Sequence, residues 1–474
     1  MHSPFSRRHL FQRAGAGFGM VALQHLLART GYAASTNPLA PKSPHFPARA
    51  KSVIWLFMNG GVSHVDTWDY KPELSKRDGK PLDGFDPKTG FFPGSVGPLM
   101  GSPFQWTQHG QSGTWGSSLF PTLSQHVDKM SFIHSCWTQS NNHSPALFMM
   151  NTGQTRMGFP SAGSWVTYGL GSACDDLPAF IVMSDPKDRG LPKGNASNWT
   201  AGFLPSVFQG TWLKPKGEPI DNLKRLPDLT EQRQREQLDL LAKLNRASLA
   251  GSGAESELAA RIDSFELAYR MQTAAPDAFD LKSEPEHVKK LYGLDQPHCS
   301  HMAAQCLTAR RLIERGTRFV QLYSGGMENQ LSWDCHLDLL GNHTGFAREV
   351  DQPFAGLLAD LHQRGLLDDT LVICAGEFGR LPISQKGAKP GRDHNPHAFT
   401  AWLAGAGVKG GFHYGETDDI GFKSVVDRVS VHDFHATILH ALGIDHEKLI
   451  FNFQGLEQRL TGVEKSRVVK EVFA

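Results

Sequence analysis

A continuous apolar run from Val53 to Met58, opened by Ser52 and cut off by Asn59-Gly60-Gly61, constrains this chain more than any other feature. A strand with one face in water alternates apolar and polar side chains, whereas Val53-Ile54-Trp55-Leu56-Phe57-Met58 needs cover on both faces. Two later runs, Thr317 to Tyr323 and Thr370 to Ala375, have the same character, and each ends near a glycine. Helical patterns precede them at Met302 to Arg315 and at Pro353 to Arg364. This alternation predicts an α/β fold: a largely parallel central sheet covered by helices on both faces, with ligands gathered beyond the strand ends.

The first residues carry a different signal. Ser6-Arg7-Arg8-His9-Leu10 leads into a weakly apolar stretch from Ala14 to Leu27 and then the small-residue end Tyr32-Ala33-Ala34. Residues 1–34 therefore read as a twin-arginine export signal, which makes the export machinery a partner and the periplasm or the extracellular space the destination; the plain alternative is a basic surface helix. The apolar part, interrupted by Gln24 and His25, is too short for a stable membrane span. Residues 35–50, rich in Pro, Ser and Ala, read as a linker, and the folded domain as 51–474. Removing the signal takes away Arg7, Arg8, Arg13 and Arg29 but no acid, and turns the formal charge from +1 to −3. The remaining Lys and Arg are interspersed with acids and glycines, so no basic footprint for a nucleic-acid partner exists. With 40% hydrophobic and 20% charged residues, the composition is that of a folded soluble chain.

Between the runs, residues 229–271 are rich in Leu, Ala, Glu and Gln around Gly251-Ser252-Gly253, a helical hairpin that is either an inserted cap or part of the main helical layer. The six cysteines form no pair of metal-binding doublets; they are either disulfide partners or buried thiols.

Candidate chemistry clusters behind the strands. His64 and Asp66 follow the first run and are candidate metal ligands, while Asp69 is placed to cap a turn or order a neighbouring loop. In Trp333-Asp334-Cys335-His336, positions i and i+2 point the same way if the segment is extended, so Asp334 and His336 can share an ion; His343 is a weaker ligand candidate. Glu377 and His394 add an oxygen and a nitrogen ligand, and Arg380 and Arg392 either grip an anionic substrate, organise the acidic site or belong to a solvated salt-bridge surface. In Asn141-Asn142-His143-Ser144-Pro145, Ser144 is either a nucleophile at a helix start or a simple helix cap.

In order along the chain, His64-Val65-Asp66, Asn142-His143-Ser144-Pro145, Trp333-Asp334-Cys335-His336, Glu377-Phe378-Gly379-Arg380 and Gly391-Arg392-Asp393-His394-Asn395-Pro396 resemble the DUF1501 family over roughly residues 50–474. That family is similar in fold to alkaline phosphatases, sulfatases and metal-dependent phosphomutases. The resemblance implies an alkaline-phosphatase-like domain with a divalent site of as many as two ions, and the carboxylate and imidazole donors themselves suit zinc or manganese. The segment Val431 to Ile444 resembles the helix near the end of sulfatase-like domains, with His432 and His435 read as structural or surface residues rather than ligands. Against a sulfatase-like nucleophile segment, Pro145 and Thr152-Gly153 keep the spacing, but the nucleophile position falls on His143 and the arginine position on Leu147. Asn59 and Glu377-Phe378 likewise stand where the superfamily commonly has Asp and Asp-His.

The leading expectation is metal-dependent hydrolysis of a phosphate or sulfate ester, with His143 transferring a proton or acting as nucleophile and Ser144 the less register-compatible candidate. The alternatives are a noncatalytic, metal-stabilised protein that binds an anionic glycan or other envelope component, and a phosphoryl transferase or isomerase. Changing Arg7 and Arg8 together to lysine is expected to reduce export sharply, measured as the periplasmic fraction of the full-length chain; undiminished export would remove the twin-arginine assignment.

Overall fold

The structure, a computed structural model, describes residues 37–474 except 221, 222, 226, 250–254 and 328. The export signal expected over residues 1–34 lies outside the described residues. The strands that build and flank the site are, in chain order, β1 (Ser52–Met58), β2 (Val96–Leu99), β3 (Met130–Trp137), β4 (Phe180–Met183), β5 (Thr211–Leu213), β6 (Phe319–Ser324), β7 (Thr370–Ala375), β8 (Gly379–Gln385), β9 (Arg392–Asn395), β10 (Phe399–Ala404), β11 (Phe412–Tyr414) and β12 (Val429–Ser430). The principal helices are α1 (His143–Thr152), α2 (Ala162–Leu170), α3 (Glu231–Leu249), α4 (Glu255–Phe279), α5 (Ser300–Glu314), α6 (Leu339–Gln363) and α7 (Val431–Ala441).

The main sheet runs β11-β3-β10-β7-β1-β6-β4-β5, with β12 also against β3. Central β1 is parallel to both neighbours, Val53 opposite Phe319 on one side and Ser52 opposite Thr370 on the other. β10 runs antiparallel to both β3 and β7, so the sheet is mixed but mainly parallel. Alternate residues of β1 serve two separate cores. Ile54, Leu56 and Met58 pack with Leu307 and Leu312 of α5 and Leu357 and Leu358 of α6. Val53, Trp55 and Phe57 pack with Trp165 of α2 and Phe434 and Ile438 of α7. Helical cover on both faces is what the unbroken apolar run required.

Two helices differ from their sequence reading. α6 begins at Leu339, well before Pro353, which sits inside it; the proline removes one amide from the ladder without ending a helix that buries a long apolar stripe against the sheet. The expected hairpin is present as α3 and α4, but α4 continues through Pro276 to Phe279 and buries Met271, Ala275 and Ala278 in the main core. Leu240, Leu241 and Leu244 of α3 remain exposed, so one helix of the pair belongs to the main layer and the other stands outside it.

Residues 37–50 lie along the domain rather than hanging from it. The Lys42 amide donates to Leu170 O at the end of α2, and the Arg49 and Ala50 amides donate to Ala441 O at the end of α7, satisfying carbonyls that helix ends leave unpaired. His432 Nε2 and His435 Nε2 do the same for α1, at 2.7 Å from Gly153 O and 2.8 Å from Met150 O. Both histidines are thus structural, and they fix the far end of the helix whose first residue is His143. All six cysteines are free thiols, five of them buried. No described helix is long and apolar enough to cross a membrane.

Candidate metal centre

Four segments leave the sheet at the carboxyl ends of β1, β3, β6 and β7 and converge, the place where open α/β sheets hold their ligands. The turn after β1 is forced to be glycine. Gly60 has φ +106°, and a side chain there would begin 2.5 Å from the Asp334 amide nitrogen, so β1 and the Asp334 loop touch through bare backbone.

Asp334 is the hub. Its Oδ1 accepts from Arg380 Nη2 at 2.8 Å and lies 2.9 Å from His336 Nε2 and 3.3 Å from His394 Nε2. Its Oδ2 accepts from the Asn329 amide at 2.7 Å and lies 3.1 Å from His143 Nε2. His143, Asp334, His336 and His394 each offer one ligand atom to a group whose atoms all lie within 4.8 Å of one another. A tetrahedral ion with bonds near 2.1 Å needs neighbouring ligand atoms about 3.4 Å apart, and the imidazole contacts to Asp334, at 2.9, 3.1 and 3.3 Å, fall just short of that spacing.

The opposite ring nitrogens decide which face of each imidazole is available. His394 Nδ1 donates to the Asn141 carbonyl at 2.5 Å, His143 Nδ1 to Glu377 Oε1 at 2.7 Å, and His336 Nδ1 to Gln385 Oε1 at 2.7 Å. Each Nδ1 therefore carries a proton, and three Nε2 atoms converge on one carboxylate, as in metal sites whose outer partners fix the ligand tautomer. Burial, then the neighbouring His143, keeps His394 well below the usual imidazole range, so its Nε2 presents a lone pair to Asp334. Two lone pairs facing each other repel unless a proton or a cation lies between them. Burial also disfavours a charge on His143, but the carboxylates of Asp334 and Glu377 overcome it and raise the pKa to about 9. Its Nε2 nevertheless has no aligned hydrogen-bond partner. Burial opposes the Asp334 charge as well, yet Arg380 and the three imidazoles hold that carboxyl well below its ordinary range. The donor set, three nitrogens and one oxygen with an unpartnered buried nitrogen among them, fits zinc or manganese.

The remaining sequence candidates fall outside this group. Glu377 accepts from His143 and from the Gly60 amide at 3.0 Å, so it orients a ring and anchors the β1 turn. Asp66 forms a fully buried ion pair with Arg392, at 2.6 Å to Nε and 3.2 Å to Nη2, and accepts from Ser63 Oγ. His64 Nε2 lies 2.8 Å from Gly421 O, and its ring packs so closely on Gly379 that a side chain there would begin 2.5 Å from its Nδ1. His343 accepts the Ser63 amide at 3.1 Å and packs edge-on against Trp333; burial presses its pKa down to about 3. Asp69 is taken up by Lys71 and Thr417.

The two arginines organise the interior rather than face a ligand. Arg380 donates to the Gly60, Gly61 and Arg392 carbonyls and to Asp334, and Arg392 donates to Leu381, Met100 and Gly101 carbonyls besides Asp66. Both side chains are fully buried. Helix α1 is capped by Asn142, whose side chain accepts the Ser144 amide; Ser144 is the second helical residue, so it is neither the cap nor part of the cluster. Sequence reasoning missed Gln385, the Asn141 carbonyl and the role of Asp393, whose Oδ1 accepts the His394 amide at 2.7 Å. These partners are set by strand pairing and loop docking, and only the nearness of Asn141 and Asp393 to the quoted histidines hinted at them.

A family model described as "Protein of unknown function (DUF1501)" matches residues 50–473, and the chain belongs to that family. No curated protein matches it. Among solved structures it is similar to the PsFucS1 sulfatase from Pseudoalteromonas sp., at 12% identity over 90% of this chain and 71% of that one, TM-score 0.35. It is also similar to the phosphonate monoester hydrolase SpPMH from Silicibacter pomeroyi, at 13% identity over 68% of each chain, TM-score 0.31. A third is the alkaline phosphatase from the Antarctic bacterium TAB5, at 10% identity over 80% of this chain and 96% of that one, TM-score 0.31.

The geometry separates the role of Asp66 from that of Asp334. Asp66→Asn leaves Arg392 buried without its counter-charge and is expected to destabilise the fold by about 3–5 kcal/mol. Zinc affinity of the folded variant should stay within about threefold of the parent; a large loss of affinity in a normally stable variant would make Asp66 a ligand.

Proposed function

We propose that this member of the DUF1501 family is an exported, metal-dependent hydrolase of phosphate or sulfate esters. In this reading Asp334, His336 and His394 hold one divalent ion, and His143 works on the ester beside it. The observation that carries the proposal is the convergence of three imidazole Nε2 atoms on Asp334, each ring turned by a separate acceptor on its far side. Location outside the cytoplasm is supported by Arg7-Arg8 and the apolar stretch after them.

An ion at this place supplies a Lewis acid that polarises an ester oxygen and lowers the pKa of bound water. The protein does the rest. Glu377 holds the His143 ring with Nε2 facing the cluster, from where it can give a proton to the departing alcohol oxygen. In the overall reaction the oxygen of water bonds to phosphorus or sulfur, the ester bond to the alcohol oxygen breaks, and that oxygen leaves protonated. Arg380 fixes Asp334 from behind and keeps its second oxygen turned toward His143.

A second reading has its own support. If His143 is a fourth ligand, the ion is enclosed by protein donors as in structural zinc sites, and the chain binds an anionic glycan or envelope component without turnover. The burial of all four side chains, only His336 exceeding a tenth exposed, favours this arrangement.

His143→Ala distinguishes the two. With three ligands and a catalytic His143, zinc binding survives within about tenfold while turnover of phosphate or sulfate esters falls by about 10²–10⁴-fold. With four ligands, zinc affinity itself falls by well over tenfold, and the parent turns over no ester. Absence of specific zinc or manganese binding by the parent would defeat both. Asp334→Ala and His336→Ala are expected to weaken binding under either arrangement, read by direct titration of metal-free protein.

A further inference from the structure

The histidine cluster is almost closed, and its partly open edge, at His336, is bordered by two aromatic rings that each keep a large exposed face. Phe91 and Phe92 are each 42% exposed. They lie edge to face, 5.0 Å apart at 88°. Phe92 stands edge to face against His336 at 4.8 Å, and Phe91 is tilted against His394 at 5.5 Å. The edge of the cluster at His336 and His394 is therefore bordered by phenyl rings while its floor is charged.

The rings are held there. Asp393 Oδ2 accepts the Phe92 amide at 2.7 Å while its Oδ1 accepts the His394 amide. Asn141 Nδ2 donates to the Thr89 and Gly90 carbonyls at 3.1 and 2.9 Å, and its own carbonyl accepts from His394 Nδ1. Gly90 lies so close to Asp393 that a side chain there would begin 2.5 Å from its Oδ2. Short 3₁₀ turns at Pro87–Thr89 and Pro93–Ser95 stiffen the loop on either side. The same residues that aim His394 therefore aim the two phenyl rings, and leaving large apolar faces in water on a rigid loop is costly unless something covers them.

We infer that Phe91 and Phe92 are a binding platform for the group the ester carries, and that this group is a ring presenting an apolar face, aryl or pyranose. The inference rests on the reading of the cluster as an ester site. A ring stacked on a phenyl face gains contact area at little entropic loss because the platform is already fixed. A phosphoryl or sulfuryl group attached to it would then meet the cluster from the His336 side, the side that is open. A small alkyl ester has nothing to lay on the platform.

Calorimetry on zinc-loaded full-length protein tests this with probes that do not require turnover. Phenylphosphonate is expected to bind at least tenfold tighter than methylphosphonate, or glucose 6-phosphate at least tenfold tighter than glycerol 3-phosphate; which pair shows the difference tells aryl from pyranose. Phe91→Ala with Phe92→Ala should bring the preference to within about twofold, and Phe91→Tyr with Phe92→Tyr should restore it, with bound zinc measured in each preparation to establish that the cluster is intact. Equal binding of ring and non-ring probes by the parent, a preference untouched by the alanine changes, or no binding of any probe overturns the platform. Turnover of phenyl phosphate on the same preparations keeps the two readings separate. Ring preference without turnover sustains the platform and defeats hydrolysis, and turnover without ring preference does the reverse.

Discussion

Everything at the carboxyl edge of the sheet is arranged around one buried carboxylate, Asp334. A carboxylate out of water is tolerated only when its lone pairs are used, and here one oxygen takes Arg380 and stands against two imidazoles while the other takes the Asn329 amide and stands against a third. Glu377 lies one residue width away through His143, so two carboxylates flank that ring while the Arg380 guanidinium pairs with Asp334. That leaves a demand for positive charge at the centre of the cluster. A proton on His143 meets it in the bare protein, and the three Nε2 atoms that face Asp334 make the same place a candidate for a divalent ion.

The buried arginines explain how such a centre is held without ordinary apolar packing. Arg380 gathers the turn after β1 and the backbone of β9, and Arg392 ties Asp66 to the small β2-β8-β9 sheet. Each guanidinium joins two or more chain segments at fixed angles, a task for which its planar fork of donors is suited. Their place in the chain, just after the late strands, resembles that of anion-gripping residues, but every contact they make is internal.

Much of this was legible in sequence because strands with two buried faces leave an unmistakable pattern. The runs at Val53, Thr317 and Thr370 became β1, β6 and β7, and the glycines behind them mark where the site begins. Asp334, His336 and His394 were readable as donor residues placed after strands, and the i, i+2 argument for the first two agrees with their 2.9 Å contact. What could not be read was selection among donors. Asp66 and Asp334 are alike in sequence and each meets a buried arginine, yet Asp66 is taken up by Arg392 on both oxygens while Asp334 also faces three imidazoles, a difference made in the first case by a residue more than 300 positions away. The extent of α6 was hidden for a related reason, since Pro353 marks a helix start by local rules and only packing against the sheet carries the helix through it. Phe91 and Phe92 lie between two short 3₁₀ turns, in a loop whose docking no local pattern encodes.

The position of β1 has a consequence for biosynthesis. It is among the first segments of the domain to be made, but its partners β6 and β7 begin at Phe319 and Thr370. At roughly 5–20 residues per second, the ribosome takes on the order of a quarter of a minute or longer to supply them. For that interval a strand with six consecutive apolar residues, Val53 to Met58, has neither of its sheet neighbours to pair with. Its Trp55, Leu56 and Phe57 are then an adhesive surface on an unfinished chain, and the yield of folded protein depends on how well the cell shields that segment while the other half is still being translated.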